Sequence, residues 1–300
     1  MEAMITILTP TYNRRRELQK LYDSLKRQIN KSFIWYIVDD GSTDGTDKTV
    51  KSFQRENCVP IQYKKKKNGG KHTALNLAIP DIETELTMIV DSDDCLTADA
   101  TQTIFEDWLK NCESNIAGMV YLRGYSGFEV IGDMWPYEEQ FGNCITHTWN
   151  KGIKGDKAEV YRTDILKQYP FPVFRREKFL SEACVWIEIA KTHNVFMKNK
   201  IIYIGEYLPD GLTRSGRKMQ MQNPKGAMCN AKAYMWRTFC LKIKMKNAIL
   251  YNCYGLQARK SLGELWKESP NRLLTTLGLL PGMVLRKKWR KYGKRRRFER

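Results

Sequence analysis

The 300 residues include 51 Lys and Arg against 33 Asp and Glu, a formal charge of +18, with 42% hydrophobic, 11% aromatic and 28% charged residues. This composition carries enough apolar surface to offset the ordering entropy of folding. It excludes a disordered, collagen-like or disulfide-scaffold chain and fits one large domain, or a domain of about 200 residues with an appendage.

Met1-Glu2 leads at once into an apolar run at residues 4–8, so no secretory leader is expected. That run reads as a strand ending at Thr9-Pro10. Leu18, Leu21, Tyr22, Leu25 and Ile29 then recur at helical spacing. Residues 33–38 form the next strand-like run and end in Asp39-Asp40-Gly41. A helix after Ser42 holds Val50 and Phe53, and residues 60–63 read as a short third strand. Ala74, Leu75 and Ala78 fit a helix after Gly69-Gly70. Residues 86–90 make a fourth strand ending in Asp91-Ser92-Asp93-Asp94. Ile104, Phe105, Trp108 and Leu109 face one side of the next helix, and residues 116–121 read as a fifth strand. Residues 122–151 follow no clear period. Residues 164–167 and 182–191 read as helices and 199–204 as a strand. Helices follow through Glu268, with a boundary expected near Pro224.

Strands alternating with helices of this length predict a mostly parallel α/β sheet with helices on both faces. Ligands in such sheets bind beyond the carboxyl ends of the strands. The polar, Gly-rich and acidic clusters follow the first, second and fourth strands and should therefore meet at one edge.

Each cluster admits two readings at this point. Asp91-Ser92-Asp93 can present two carboxylates to one hard cation, or supply a helix cap through Asp93 or Asp94. Asp40 can accept a hydrogen bond from a base or ribose, or cap the helix near Ser42. Asn68-Gly69-Gly70-Lys71 lets backbone approach an anion and gives Lys71 a phosphate to meet. It is no P-loop, and no G-x-G-x-x-G occurs to suggest a dinucleotide fold. The run Lys64-Lys65-Lys66-Lys67 reads as solvated or membrane-facing. Eight scattered cysteines without a C-x-x-C pair argue against a zinc cluster and for reduced thiols in the cytosol.

Charge concentrates at the C-terminal end. Residues 286–300 hold ten basic residues and one acid, half of the net charge, directly after the uncharged run 273–285. That run falls short of the roughly 20 residues a spanning helix needs. Basic residues beside apolar and aromatic ones suit an anionic membrane surface. A solvated tail or a nucleic-acid contact are the other readings.

Thr9-Pro10-Thr11-Tyr12-Asn13-Arg14, Val38-Asp39-Asp40-Gly41-Ser42-Thr43-Asp44-Gly45-Thr46, Asn68-Gly69-Gly70-Lys71 with Ala74 and Asn76, and Asp91-Ser92-Asp93-Asp94, in that order, resemble family 2 glycosyltransferases of the GT-A fold. The resemblance is firm over residues 4–121 and weaker to about 205. It implies a GT-A domain over residues 1–223; the last 90 or so residues add nothing to it, and the helical pattern after Asn223 sets off an extension over 224–300. It also implies an inverting transfer from a nucleotide-diphosphate sugar, usually a UDP-sugar, with Mn²⁺ or Mg²⁺. By position Pro10, Tyr12 and Asp40 would contact the base and nucleoside, and Lys71 would lie near the diphosphate. Asp91, Ser92 and Asp93 match the family's D-x-D, with Asp93 the direct metal ligand and Asp91 nearer the ribose or sugar.

The general base matches Glu182 in Phe179-Leu180-Ser181-Glu182-Ala183-Cys184-Val185-Trp186. Glu replaces the family's usual Asp there, and the E-D pair is missing; a helix-start acid is the other reading. Asp156 would border the acceptor, and the turn at 207–214, with Gly211 and Arg214, would close over the donor. The acceptor would be a glycan or a lipid-linked sugar, met by a cytoplasmic enzyme lying peripherally on the inner membrane face through residues 272–300. No nucleic-acid partner is expected. Two rival readings are a non-catalytic basic module that binds nucleic acid or acidic polysaccharide, and a nucleotidyltransferase. The acidic strand ends weigh against the first, and the missing glycines after the first strand against the second.

Overall fold

The computed structural model describes residues 3–112, 114–205 and 216–293. The expected turn at 207–214 and the last part of the basic tail, 294–300, lie outside them. Among the described residues nine strands join one sheet: β1 Ile5–Thr11, β2 Phe33–Asp39, β3 Ile61–Lys65, β4 Leu86–Ile89, β5 Cys95–Leu96, β6 Ile116–Gly124, β7 Glu139–Gly142, β8 Lys157–Arg162 and β9 Asn194–Ile204. Their order is β3-β2-β1-β4-β8-β6-β9-β5, with β7 also on β9. The helices are α1 Glu17–Lys26, α2 Thr46–Glu56, α3 Lys71–Ala78, α4 Ala100–Asn111, α5 Thr163–Leu166 and α6 Ala183–Ala190. They continue with α7 Gly216–Gln222, α8 Pro224–Ala233, α9 Leu241–Gln257, α10 Leu262–Glu268, α11 Arg272–Leu277 and α12 Leu279–Trp289.

The chain forms two compact units. The sheet unit comprises residues 3–170 and 192–205; the helical unit comprises 171–191 and the residues from 216 on. The change to a helical pattern predicts a single boundary near Pro224, but the units part elsewhere for a local reason. Glu177 accepts hydrogen bonds from the Lys225 and Gly226 amides at 3.0 and 2.9 Å, and the Asn223 side chain accepts from the Lys178 amide at 2.9 Å. Segment 171–191 thus satisfies the open amides at the start of α8.

In the sheet unit β1 is buried along its whole length, and β2 nearly so. Such doubly covered strands read as continuous apolar runs. Tyr22, Trp35 and Phe53 stack between α1, β2 and α2, the Tyr22 and Phe53 centroids 4.1 Å apart. The expected α1 face holds at Leu18, Leu21, Tyr22 and Leu25. Ile29 is exposed because the helix stops at Lys26, and Leu109 lies outside the buried row of α4.

The sheet is mixed rather than mostly parallel. β1–β2, β2–β3, β1–β4 and β6–β9 run parallel, whereas β4–β8, β6–β8, β5–β9 and β7–β9 are antiparallel. The reason is β8, which enters between β4 and β6. Its Lys157 hides the strand in the sequence yet is buried, its ammonium held by the Asp133 and Lys154 carbonyls at 2.9 and 3.0 Å.

The helical unit has its own core, built on Met221, Met228, Ala248, Tyr251, Tyr254 and Leu265. Its helix starts are locally encoded. Ser261 and Glu264 form a reciprocal capping box on α10, and the Asn271 side chain accepts from the Leu274 amide at 3.0 Å on α11. Among the described residues no helix is long and apolar enough to cross a membrane.

Candidate active site

Strands β1 to β4 lie parallel, so their carboxyl ends share an edge, and the loops there are tied together. The Asp40 amide donates to the Thr11 carbonyl at 2.8 Å, the Lys66 amide to Asp39 at 2.9 Å and the Val90 amide to Leu8 at 3.0 Å. The Asn13 amide donates to Ser42 Oγ, and the Thr43 amide returns a bond to Asn13 Oδ1, both at 2.8 Å. Gly41 turns the chain at φ +89°, where a Cβ would sit 2.9 Å from the Asn68 nitrogen, so only glycine fits without strain.

Asp39 and Asp40 knit this edge. Asp39 is fully buried and accepts from the Ser42 amide at 2.6 Å and from the Tyr63 hydroxyl at 2.8 Å. Asp40 Oδ1 accepts from Lys66 Nζ at 2.8 Å and the Gly69 amide at 2.9 Å, while Oδ2 accepts from the Gly70 amide at 2.7 Å. The basic run is therefore less solvated than its composition suggests. Lys64 pairs with Asp81 at 2.6 Å, Lys65 Nζ donates to the Ser42 carbonyl at 2.7 Å, and Lys66 is absorbed by Asp40.

The third tie brings Lys71, first residue of α3, onto Asp91 Oδ1 at 2.5 Å. Arg14, after β1, reaches Asp93 at 3.8 Å. Burial pushes the Asp91 carboxyl up, but Lys71 and Arg123 outweigh it and hold it below the usual carboxylate range. Asp93 is raised by burial and by its neighbour Asp91, with Arg14 opposing only in part. Burial, and then Asp91, push Asp94 up to about 7. Asp93 and Asp94 are thus held above the usual carboxylate range despite the nearby Lys71, Arg14 and Arg123, a crowding of carboxylates that a further cation would relieve.

Behind the turn, Tyr203 of β9 accepts a bond from the Asp91 amide at 3.0 Å and donates to Asp94 Oδ2 at 2.6 Å. The Arg123 guanidinium lies 4.0 Å from the Tyr203 ring centre. Sequence reading missed Tyr203, Arg123 and Asp94 as site residues. The first two lie on strands far along the chain, and only the sheet order brings them under the acidic turn.

Of the expected residues, Pro10, Tyr12, Asp40, Lys71, Asp91, Ser92 and Asp93 all stand at this one edge of the sheet unit. Tyr12 is half-exposed, whereas Pro10 and Ser92 are buried. Asp156 is exposed just before β8. Glu182 belongs to the helical unit and immediately precedes α6, its carbonyl accepting from the Val185 and Trp186 amides at 2.8 and 3.1 Å.

Comparison with known proteins agrees with this geometry. The glycosyltransferase GlyA of Streptococcus pneumoniae is 29% identical over 187 residues, 56% of this chain. That match spans only 27% of GlyA, so the chain covers about a quarter of that relative. The GalNAc(5)-diNAcBac-PP-undecaprenol beta-1,3-glucosyltransferase of Campylobacter jejuni is 24% identical over 233 residues, 71% of this chain and 68% of that protein. The crystal structure of Staphylococcus aureus TarS 1–349 in complex with UDP-GlcNAc superposes with a TM-score of 0.59 at 18% identity, covering 99% of this chain and 93% of that one. The fold is accordingly of the GT-A type, with a mixed sheet and a helical C-terminal region. A sequence profile described as Glycosyl transferase family 2 matches residues 6–179, more than half of the chain. With the strand-end motifs gathered at one edge, the chain belongs to glycosyl transferase family 2.

Proposed function

We propose that the chain transfers a sugar, with inversion, from a nucleotide-diphosphate donor to a hydroxyl of a glycan or lipid-linked acceptor in surface-polysaccharide assembly. The observation that carries the reading is the joining of Lys71 to Asp91 and of Arg14 to Asp93 at the carboxyl edge of β1–β4. A UDP-sugar donor is supported by the UDP-GlcNAc bound to the similar TarS fold. A lipid-linked acceptor is supported by the undecaprenol diphosphate in the name of the Campylobacter relative. The basic residues 272–300 support a peripheral position on an anionic membrane, on its cytoplasmic side.

In this reading Pro10 and Tyr12 meet the base. Asp40, engaged by Lys66 and two amides, orders the 66–70 segment beside the nucleoside. Lys71 and Arg14 exchange their carboxylate partners for diphosphate oxygens. Asp93 and Asp91 are the residues that would hold Mn²⁺ or Mg²⁺; their mutual repulsion fits a hard cation that takes its other ligands from phosphate and water. Among the described residues no group of three or more His, Cys, Asp or Glu side chains could hold a metal. A bound ion would neutralise charge building on the leaving diphosphate. The acceptor oxygen forms its bond to the anomeric carbon as the bond to diphosphate breaks, and Glu182 takes the acceptor's proton.

The test is a hydrolysis screen of UDP- and GDP-sugars with Mn²⁺ or Mg²⁺. At least one donor should release nucleoside diphosphate above background, and chelation should stop it. Silence across the donors would discard the reading. Asp93→Ala should abolish the metal response; a variant that keeps it rejects Asp93 as ligand.

A further inference from the structure

Helices α11 and α12 are apolar on two opposite faces. One face closes the core of the helical unit. Leu274, Gly278 and Gly282 are buried there. A Cβ on Gly278 would lie 3.1 Å from backbone atoms of Ala248 and Ile249, and one on Gly282 would lie 2.7 Å from the Asn252 Cβ. The pair therefore presses directly onto α9. The other face is unused by the fold. Leu273, Leu277, Leu280 and Val284 are 69%, 56%, 74% and 69% exposed. Their spacing of four, three and four residues puts them in one row along the helix pair. Contiguous apolar surface of this kind marks an interaction site rather than scattered exposure.

The charges around the row indicate what covers it. No Asp or Glu occurs from residue 269 to 298. Arg272 flanks one end, its guanidinium 4.2 Å from the centre of the half-exposed Trp266 ring, and Lys287 and Lys288 flank the other. A second copy of this chain would bring like charges together across a two-fold axis, which disfavours self-association. An anionic lipid surface satisfies both features, since it takes apolar side chains beneath its headgroups and cations at their level. The helices are too short to cross, so they lie in the plane of the interface.

We infer that the outer row of α11 and α12, with Trp266 and the flanking cations, docks the chain onto an anionic phospholipid surface. This rests on the membrane placement in the proposed function and gives it a face made of described residues, distinct from electrostatic attraction of a basic tail alone.

The experiment is flotation of the full chain with phosphatidylcholine vesicles containing about a third phosphatidylglycerol, and with phosphatidylcholine alone. Wild type should float with the anionic vesicles. Leu273→Gln/Leu277→Gln/Leu280→Gln/Val284→Thr should lower the partition coefficient about 100-fold or more, and the loss should persist at low salt. Lys287→Gln/Lys288→Gln should cost about fivefold for each charge removed and flatten the salt dependence. All four outer residues are exposed, so both variants should melt as wild type does. Failure of wild type to float, or equal flotation of the leucine variant, overturns the inference. So does a wild-type dimer that the leucine variant dissociates, which would make the row a subunit interface. Donor hydrolysis without vesicles is followed in parallel. Its absence would sink the sugar-transfer reading and leave the docking result standing, whereas lost flotation with intact hydrolysis would do the reverse.

Discussion

The sheet unit gathers its polar groups inward at one edge, whereas the helical unit turns apolar groups outward along one row. At the sheet edge Asp39, Asp40, Asp91 and Asp94 each meet a donor from a different stretch of chain, so loops from four strands hold one another in place. In the helical unit small residues let helices touch, and the outer side of α11 and α12 keeps its leucines. Parallel strands deliver loops to a common line and so can concentrate charge. A stacked helix presents two long faces and needs only one for its own core.

The comparison can be broken most sharply at Glu182, the residue that the helical unit is proposed to contribute to chemistry. Glu182→Gln should lower the rate of transfer by about 10²–10⁴ while leaving nucleotide binding unchanged by calorimetry. Full activity would leave the reaction to the sheet unit. Next is Asp40→Ala, which leaves the Gly69 and Gly70 amides without their acceptor, while Lys66 keeps the Lys67 carbonyl and the Thr73 hydroxyl. A loss of about 1–3 kcal/mol in denaturant unfolding is expected, together with weaker nucleotide binding. Gly282→Ala sharpens the other side: its methyl has no room against α9, and should cost about 1–3 kcal/mol in the same measurement.

The smallest effect concerns His72 in α3. Burial holds this imidazole below its ordinary value of 6.5. The unfolded chain therefore binds the proton more tightly, and this contribution to stability is complete above about pH 6.5 and declines as the pH falls below it. Melting temperature against pH should show that slope in wild type and a flatter one in His72→Leu.

The first four strands and their loops were legible because each is a short apolar run closed by residues that turn or carry charge. Residues 33–38, for example, became Phe33–Asp39, and 86–90 became Leu86–Ile89. The gathering of Lys71 and Asp91 at one edge followed from parallel order alone. β7 and β8 were not legible. Lys157 and Glu159 interrupt the apolar pattern of β8, and the Asp133 and Lys154 carbonyls make a buried lysine acceptable there. The long β9 was seen only in its second half, because Asn194, Lys198 and Asn199 break its alternation while Lys198 is neutralised by Asp107 and Glu139. The basic tail was legible as charge; the row of leucines beside it needed the helix phase that the structure supplies.

The place of β8 also constrains how the chain is made. Leu86 of β4 pairs with Arg162, and Gly118 of β6 with Tyr161, so both strands wait for a partner that leaves the ribosome much later. Until then the nascent sheet carries a naked apolar border next to the strand that bears the acidic turn, and such borders recruit stray chains. Fragments ending before residue 157 should accordingly collect in inclusion bodies, and a chaperone that shields open borders should matter most during that interval of synthesis.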